Sequence, residues 1–140
     1  MELRVNFRGY FGDAALTLPV GKVDQEARRL VEVTERALYI GIEKARAGNR
    51  LFDISFAIQE WVESHGFSVV RDFVGHGIGQ RLHEEPQVLH YGRPGTGEVV
   101  VPGMIFTIEP MINLGRREIK GLTSEHDPFF LELFSKFIGG

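Results

Sequence analysis

The stretch Asp72 to Gly95, "DFVGHGIGQRLHEEPQVLHYGRPG", carries His76, His83 and His90, the adjacent pair Glu84 and Glu85, and five glycines. Its opening, "GHGIGQ", has a passing likeness to a dinucleotide-binding fingerprint. The spacing fails, because Gln80 stands where the third glycine belongs and no helical pattern follows. That removes a doubly wound nucleotide fold and leaves a glycine-punctuated, strand-rich segment.

Outward from this stretch the chain alternates helical and extended patterns. "FSVVRDF" precedes it as a strand, and Asp53 to Gly66 precedes that as a helix burying Ile54, Ala57, Ile58, Trp61 and Val62 on one face. Further upstream, Asp24 is placed to cap a long amphipathic helix. Ala27, Leu30, Val31, Ala37, Leu38, Gly41, Ile42 and Ala45 recur along it at helical spacing until Gly48. "MELRVNF" and "AALTL", separated by the turn glycines of "RGYFGD", read as a β-hairpin. Downstream come "EVVV", a Pro102-Gly103 turn, the apolar strand "MIFTIEPMI", a turn at "NLGRR" and a short strand "EIKGL". No repeat or low-complexity tract interrupts the pattern, and the class is α/β or α+β.

At 140 residues the chain has the length of one domain, able to bury roughly two-thirds of the surface its unfolded form exposes. Its net charge of −3, with the signs interspersed, argues against a nucleic-acid partner. No apolar run approaches the roughly 20 residues a membrane span needs, so no membrane partner is expected either. With no cysteine present, disulfides, thiolate metal sites and cysteine nucleophiles are excluded. The expected location is the cytoplasm. A Ser-His-Asp hydrolase lacks its nucleophile elbow, since G-x-S-x-G is absent.

Any metal site must therefore be built from carboxylates and imidazoles, a donor set suited to Mn, Fe, Co or Zn. Asp13 at the hairpin, His76 after a strand and Glu109 inside an apolar strand are the candidates. A carboxylate in an apolar strand is costly to bury unpaired. Glu109 must face solvent, find a cation or hold a metal. Taken singly, each of the three reads as readily as a solvated strand end or an ion pair. His83 and His90 singly read as loop histidines, and Glu84 and Glu85 as solvated or paired with Arg81 or Arg93.

Three motifs, "RGYFGDAALTLPVG", "GHGIGQRLHEEPQVLHYG" and "VVVPGMIFTIEPMIN", resemble consecutive motifs of the type I methionine aminopeptidases, the pita-bread metallopeptidases. The resemblance runs from about Arg8 to Ile119. It implies a partial pita-bread fold, with a curved, mostly antiparallel sheet covered by two amphipathic helices. By the same resemblance, Asp13 is a bridging metal ligand, His76 the histidine ligand, and Glu109 a ligand that also handles the proton of the attacking water. His83 then hydrogen-bonds the scissile peptide and its tetrahedral intermediate. The implied cofactors are divalent ions (Co, Mn, Fe or Zn), up to two, and the implied substrate is the N-terminus of a peptide or nascent protein.

The departures are equally specific. Glu2 falls where the family has its first aspartate ligand, and Leu82 where it has a pocket aromatic. Glu125 either imitates the family's last glutamate ligand or is a chance likeness. The family's N-terminal half, with an assisting histidine, has no counterpart here. Residues 1–120 are expected to form the partial domain and residues 121–140 a divergent apolar tail. That tail carries Phe129, Phe130, Phe134 and Phe137, which would cover the sheet or meet a second copy. Two functions stay open: an aminopeptidase-like metalloenzyme, or a catalytically impaired pita-bread remnant acting as a binding or structural protein. Self-association or a complementing chain is expected in either case.

Overall fold

The computed structural model describes residues 1–118. The elements are β1 (Glu2–Phe7), β2 (Tyr10–Ala15), α1 (Gln25–Lys44), α2 (Leu51–Ser64), β3 (Ser68–Val69), β4 (Gly75–Gly77), β5 (Glu84–Val88) and β6 (Ile112–Asn113). β1 pairs with β2, β3 with β6 and β4 with β5, all antiparallel.

Segment 105–113 ties the pieces together. It runs antiparallel to residues 68–78 through Ile78 N–H to Ile105 O, Thr107 N–H to His76 O and Val70 N–H to Met111 O. The result is the curved, mostly antiparallel sheet with two covering helices that the resemblance implied.

Both helices form where the apolar spacing placed them, with shifted ends. Asp24 caps α1 by accepting the Ala27 N–H at 2.8 Å, and the helix closes at Lys44, four residues before Gly48. α2 begins at Leu51 rather than Asp53. Asp53 acts from the first turn, where its carboxylate accepts the Arg50 N–H at 2.8 Å and the Gly95 N–H at 2.7 Å. These bonds hold the Asp53 pKa below its ordinary value.

The helices pack closely at Gly41, where a Cβ would sit 2.8 Å from Ile58 Cδ1 and 3.2 Å from Ile108 Cγ2. Leu30, Val33, Ala37 and Leu38 of α1 thus meet Ile54, Ile58 and Val62 of α2 over Val69, Val88, Phe106, Ile108 and Ile112 of the sheet. Trp61, expected in the core, is half-buried, and its Nε1–H donates to Val33 O.

The strands differ more from expectation. "AALTL" is a strand only as far as Ala15, where the ladder closes with Leu16 N–H donating to Met1 O. "FSVVRDF" contributes only the two residues of β3. "MIFTIEPMI" is no continuous strand: the Glu109 N–H goes to the His90 ring, and Pro110 has no N–H to give. In "EVVV" only Val99 bridges, to Arg50. β4 and β5 arise inside the glycine segment. Most of "EIKGL" and the apolar tail lie outside the described residues. Among the described residues, no helix is long and apolar enough to cross a membrane.

Candidate metal and catalytic site

The site begins with two glycines. A Cβ at Gly75 would collide with the carbonyl of Thr107, and one at Gly77 with the carbonyl of Glu85. Only glycine lets β4 lie this close to both neighbours. Between them His76 is pinned by its backbone. Its N–H donates to Thr107 Oγ1 at 2.9 Å, and its carbonyl accepts the Thr107 N–H at 2.8 Å.

The ring of His76 is oriented just as tightly. Nδ1 lies 2.9 Å from Gly77 O, and because a carbonyl only accepts, Nδ1 carries the proton. In the neutral ring Nε2 then presents a lone pair, and Glu109 Oε1 lies 3.2 Å from it. Two acceptors at that distance call for a cation between or beside them, either a proton or a metal ion. Both residues are buried.

Glu109 is held from two sides. Thr107, two residues earlier and so on the same side of an extended chain, directs its hydroxyl to Glu109 Oε1 at 2.5 Å. His90 Nε2 accepts the Glu109 backbone N–H at 3.0 Å. Burial pushes the His90 pKa down to about 3, so the ring stays neutral and remains an acceptor. His90 lies in the loop after β5 but is fully buried and partnered, unlike an ordinary loop histidine. Its immediate neighbours gave no sign of this, since Leu89 and Tyr91 are themselves only half-buried.

His83 approaches His76 edge-on, with ring centroids 4.3 Å apart and planes at 68°. Unlike His76 it is exposed, which leaves it able to meet an incoming molecule. Leu82 beside it is half-buried. His76, His83 and Glu109 are thus brought together.

Asp13 is placed differently. It lies on β2, buried, on a hairpin tied to the loop after β4 by Phe11 N–H to Gly79 O at 2.8 Å. Its Oδ2 lies 3.5 Å from Arg4 Nε, while its Oδ1 is buried without a hydrogen-bond partner. Among the described residues, no three His, Asp or Glu side chains converge closely enough to hold a metal ion as they stand. The donor chemistry nevertheless fits a divalent cation: a buried carboxylate oxygen without a partner, and an imidazole lone pair facing a second carboxylate. Glu2 meets Arg4, not His76 or Glu109. Glu125 lies outside the described residues.

Buried imidazole and carboxylate donors thus lie on the sheet under the two helices, the donor types a metallohydrolase would use. Residues 1–129 match metallopeptidase family M24, and the chain belongs to that family. Methionine aminopeptidase 1 of Bacillus subtilis (strain 168) is 50% identical over 122 residues, which are 87% of this chain and 49% of that protein. The methionine aminopeptidase of Clostridium acetobutylicum is 54% identical over 112 residues, 80% of this chain and 45% of that one. The crystal structure of methionine aminopeptidase from Rickettsia prowazekii superposes with a TM-score of 0.83 at 41% identity, covering 97% of this chain and 56% of that one. The chain thus spans about half the length of these relatives. Membership of a metallopeptidase family carries with it the use of a divalent metal.

Proposed function

We propose that the protein is a metal-dependent aminopeptidase-like hydrolase acting on the N-terminal methionine of peptides and nascent proteins in the cytoplasm. The observation that carries this reading is the buried pair of His76 Nε2 and Glu109 Oε1 at 3.2 Å, with the exposed His83 against it. His76, Glu109 and Asp13 would hold the ion, which is Co, Mn, Fe or Zn, with at most two bound. When bound, such an ion supplies Lewis-acid activation of a water and of the scissile carbonyl.

The chain's own residues do the rest. Glu109 takes the proton of the attacking water and is kept in place by Thr107 and His90. His83 donates a hydrogen bond to the carbonyl oxygen as negative charge develops there. Single donors in such positions are worth up to about 3–4 kcal/mol. The reading extends to a second chain or a second copy packed on the exposed apolar side chains Leu3, Val5, Phe7 and Tyr10 of the hairpin.

Titration calorimetry with Mn or Co tests the reading, with binding expected in the wild-type chain and abolished in His76→Ala. A Met-Ala-Ser peptide should be cleaved by the metal-loaded protein, and the cleavage should disappear in Glu109→Gln. Equal metal binding by wild type and His76→Ala would rule the reading out.

A further inference from the structure

We propose that Arg4 is a built-in cation occupying the place of a second divalent ion between Glu2 and Asp13, so that the chain binds one metal ion and not two. The inference rests on the reading of His76 and Glu109 as metal ligands, and it extends that reading to the hairpin.

In the β1–β2 pairing Arg4 stands directly opposite Asp13, and Glu2 lies two residues from Arg4 on the same strand. Residues opposite one another in a ladder, and residues two apart in a strand, share a face. Glu2, Arg4 and Asp13 are therefore side by side. The Arg4 guanidinium uses both neighbours, with Nη2 2.5 Å from Glu2 Oε1 and Nε 3.5 Å from Asp13 Oδ2. One positive group thus bridges two carboxylates that would otherwise repel each other and recruit a cation from solution.

The two oxygens of Asp13 are divided by this arrangement. Oδ2 faces Arg4, whereas Oδ1 is buried and without a hydrogen-bond partner. An acceptor in that condition costs on the order of 1–3 kcal/mol until something satisfies it. It is the oxygen left for an ion bound by His76 and Glu109. An ion seated between Glu2 and Asp13 would have to expel the guanidinium and then tolerate it as a like-charged neighbour. Arg4 is half-exposed, so replacing it leaves the core untouched.

The test is Mn stoichiometry by calorimetry, with electron paramagnetic resonance distinguishing isolated from spin-coupled Mn. Wild type, Arg4→Gln, Arg4→Ala, His76→Ala and the double variant Arg4→Gln/Glu2→Gln are compared after circular dichroism confirms folding. The expected result is one isolated Mn per chain in wild type, a twofold rise to two coupled Mn in both Arg4 variants, and a return to one in the double variant. Two Mn per wild-type chain would overturn the proposal. So would a single Mn of unchanged affinity in both Arg4 variants, although loss of that ion in His76→Ala would still uphold the His76 and Glu109 site. No Mn in wild type but one in the Arg4 variants overturns the proposal that the chain binds one ion and removes the His76 reading with it. No Mn in any variant overturns both.

Discussion

The hairpin and the helix-covered sheet hold their site residues by different physics. His76 and Glu109 sit on backbone packed under two helices, where Ile54, Ile58 and Ile108 are fully buried and the ladder, Thr107 and His90 fix both side chains. Asp13 sits on a two-stranded ribbon whose first strand is exposed along its whole length. One backbone hydrogen bond from Phe11 to Gly79 and an ion pair to a half-exposed arginine are the contacts described for that ribbon's approach to the site. Isolated two-stranded ribbons are marginal in water. The difference teaches that one half of the proposed ligand set is preorganised and the other is adjustable, which is where charge competition by Arg4 can act.

The largest expected effect breaks the firm half. Ile58 is fully buried, in contact with the Gly41 region of α1, and truncation to alanine leaves a cavity between the helices and the sheet. Ile58→Ala should cost about 2–5 kcal/mol in urea unfolding of the metal-free chain. A loss under about 1 kcal/mol would mean that this interface is loosely packed and that His76 and Glu109 are no better held than Asp13.

A smaller effect sharpens the comparison through pH. Burial holds the His90 pKa at about 3, against 6.5 for the ordinary side chain. Above pH 6.5 the ring is neutral in both folded and unfolded chains, and its stabilising contribution is complete. As pH falls below 6.5 the unfolded chain takes up a proton that the folded one refuses, so stability declines until about pH 3. Between pH 8 and pH 5 this amounts to about 2 kcal/mol. His90→Leu should start less stable, because the Glu109 N–H loses its acceptor, and should show a flatter decline over the same interval. Parallel slopes for the two proteins would show that His90 is not buried neutral against Glu109.

The sequence made the helices legible because both bury a stripe at helical spacing and one carries an aspartate cap at Asp24. It misplaced the start of α2 because an aspartate serves equally well at the cap or one turn in, and Asp53 does the latter. The strands near the site were the least legible. Alternation of apolar residues cannot show that the Glu109 N–H leaves the ladder for an imidazole. His76 and Glu109 were legible as metal-ligand candidates from their donor chemistry, His83 through the family resemblance, and the three lie together. Thr107 and His90, which position Glu109, were missed because a threonine in a strand and a histidine between apolar residues have ordinary structural explanations. Arg4 escaped notice for a related reason: its role depends on the hairpin register, which places it opposite Asp13.

The smallest expected effect concerns the adjustable half. Val5 lies in the middle of β1, opposite Gly12, with nearly half its surface in water at 45% exposure. Leu3 and Phe7, two residues to either side, share its face and are more exposed still, at 60% and 68%. Val5→Thr keeps the β-branched shape that suits a strand and exchanges a methyl for a hydroxyl that water can satisfy. In the metal-free monomer it should shift urea unfolding by no more than about 0.5 kcal/mol, as for surface changes away from special features. It leaves Arg4, Asp13 and Glu2 on the opposite face, so Mn binding should be unchanged within error. A loss above about 1 kcal/mol, or one that grows with protein concentration, would show that the second chain or copy proposed for this face already covers it in the metal-free protein. The hairpin would then be held by a second copy and would no longer be the weaker of the two regions.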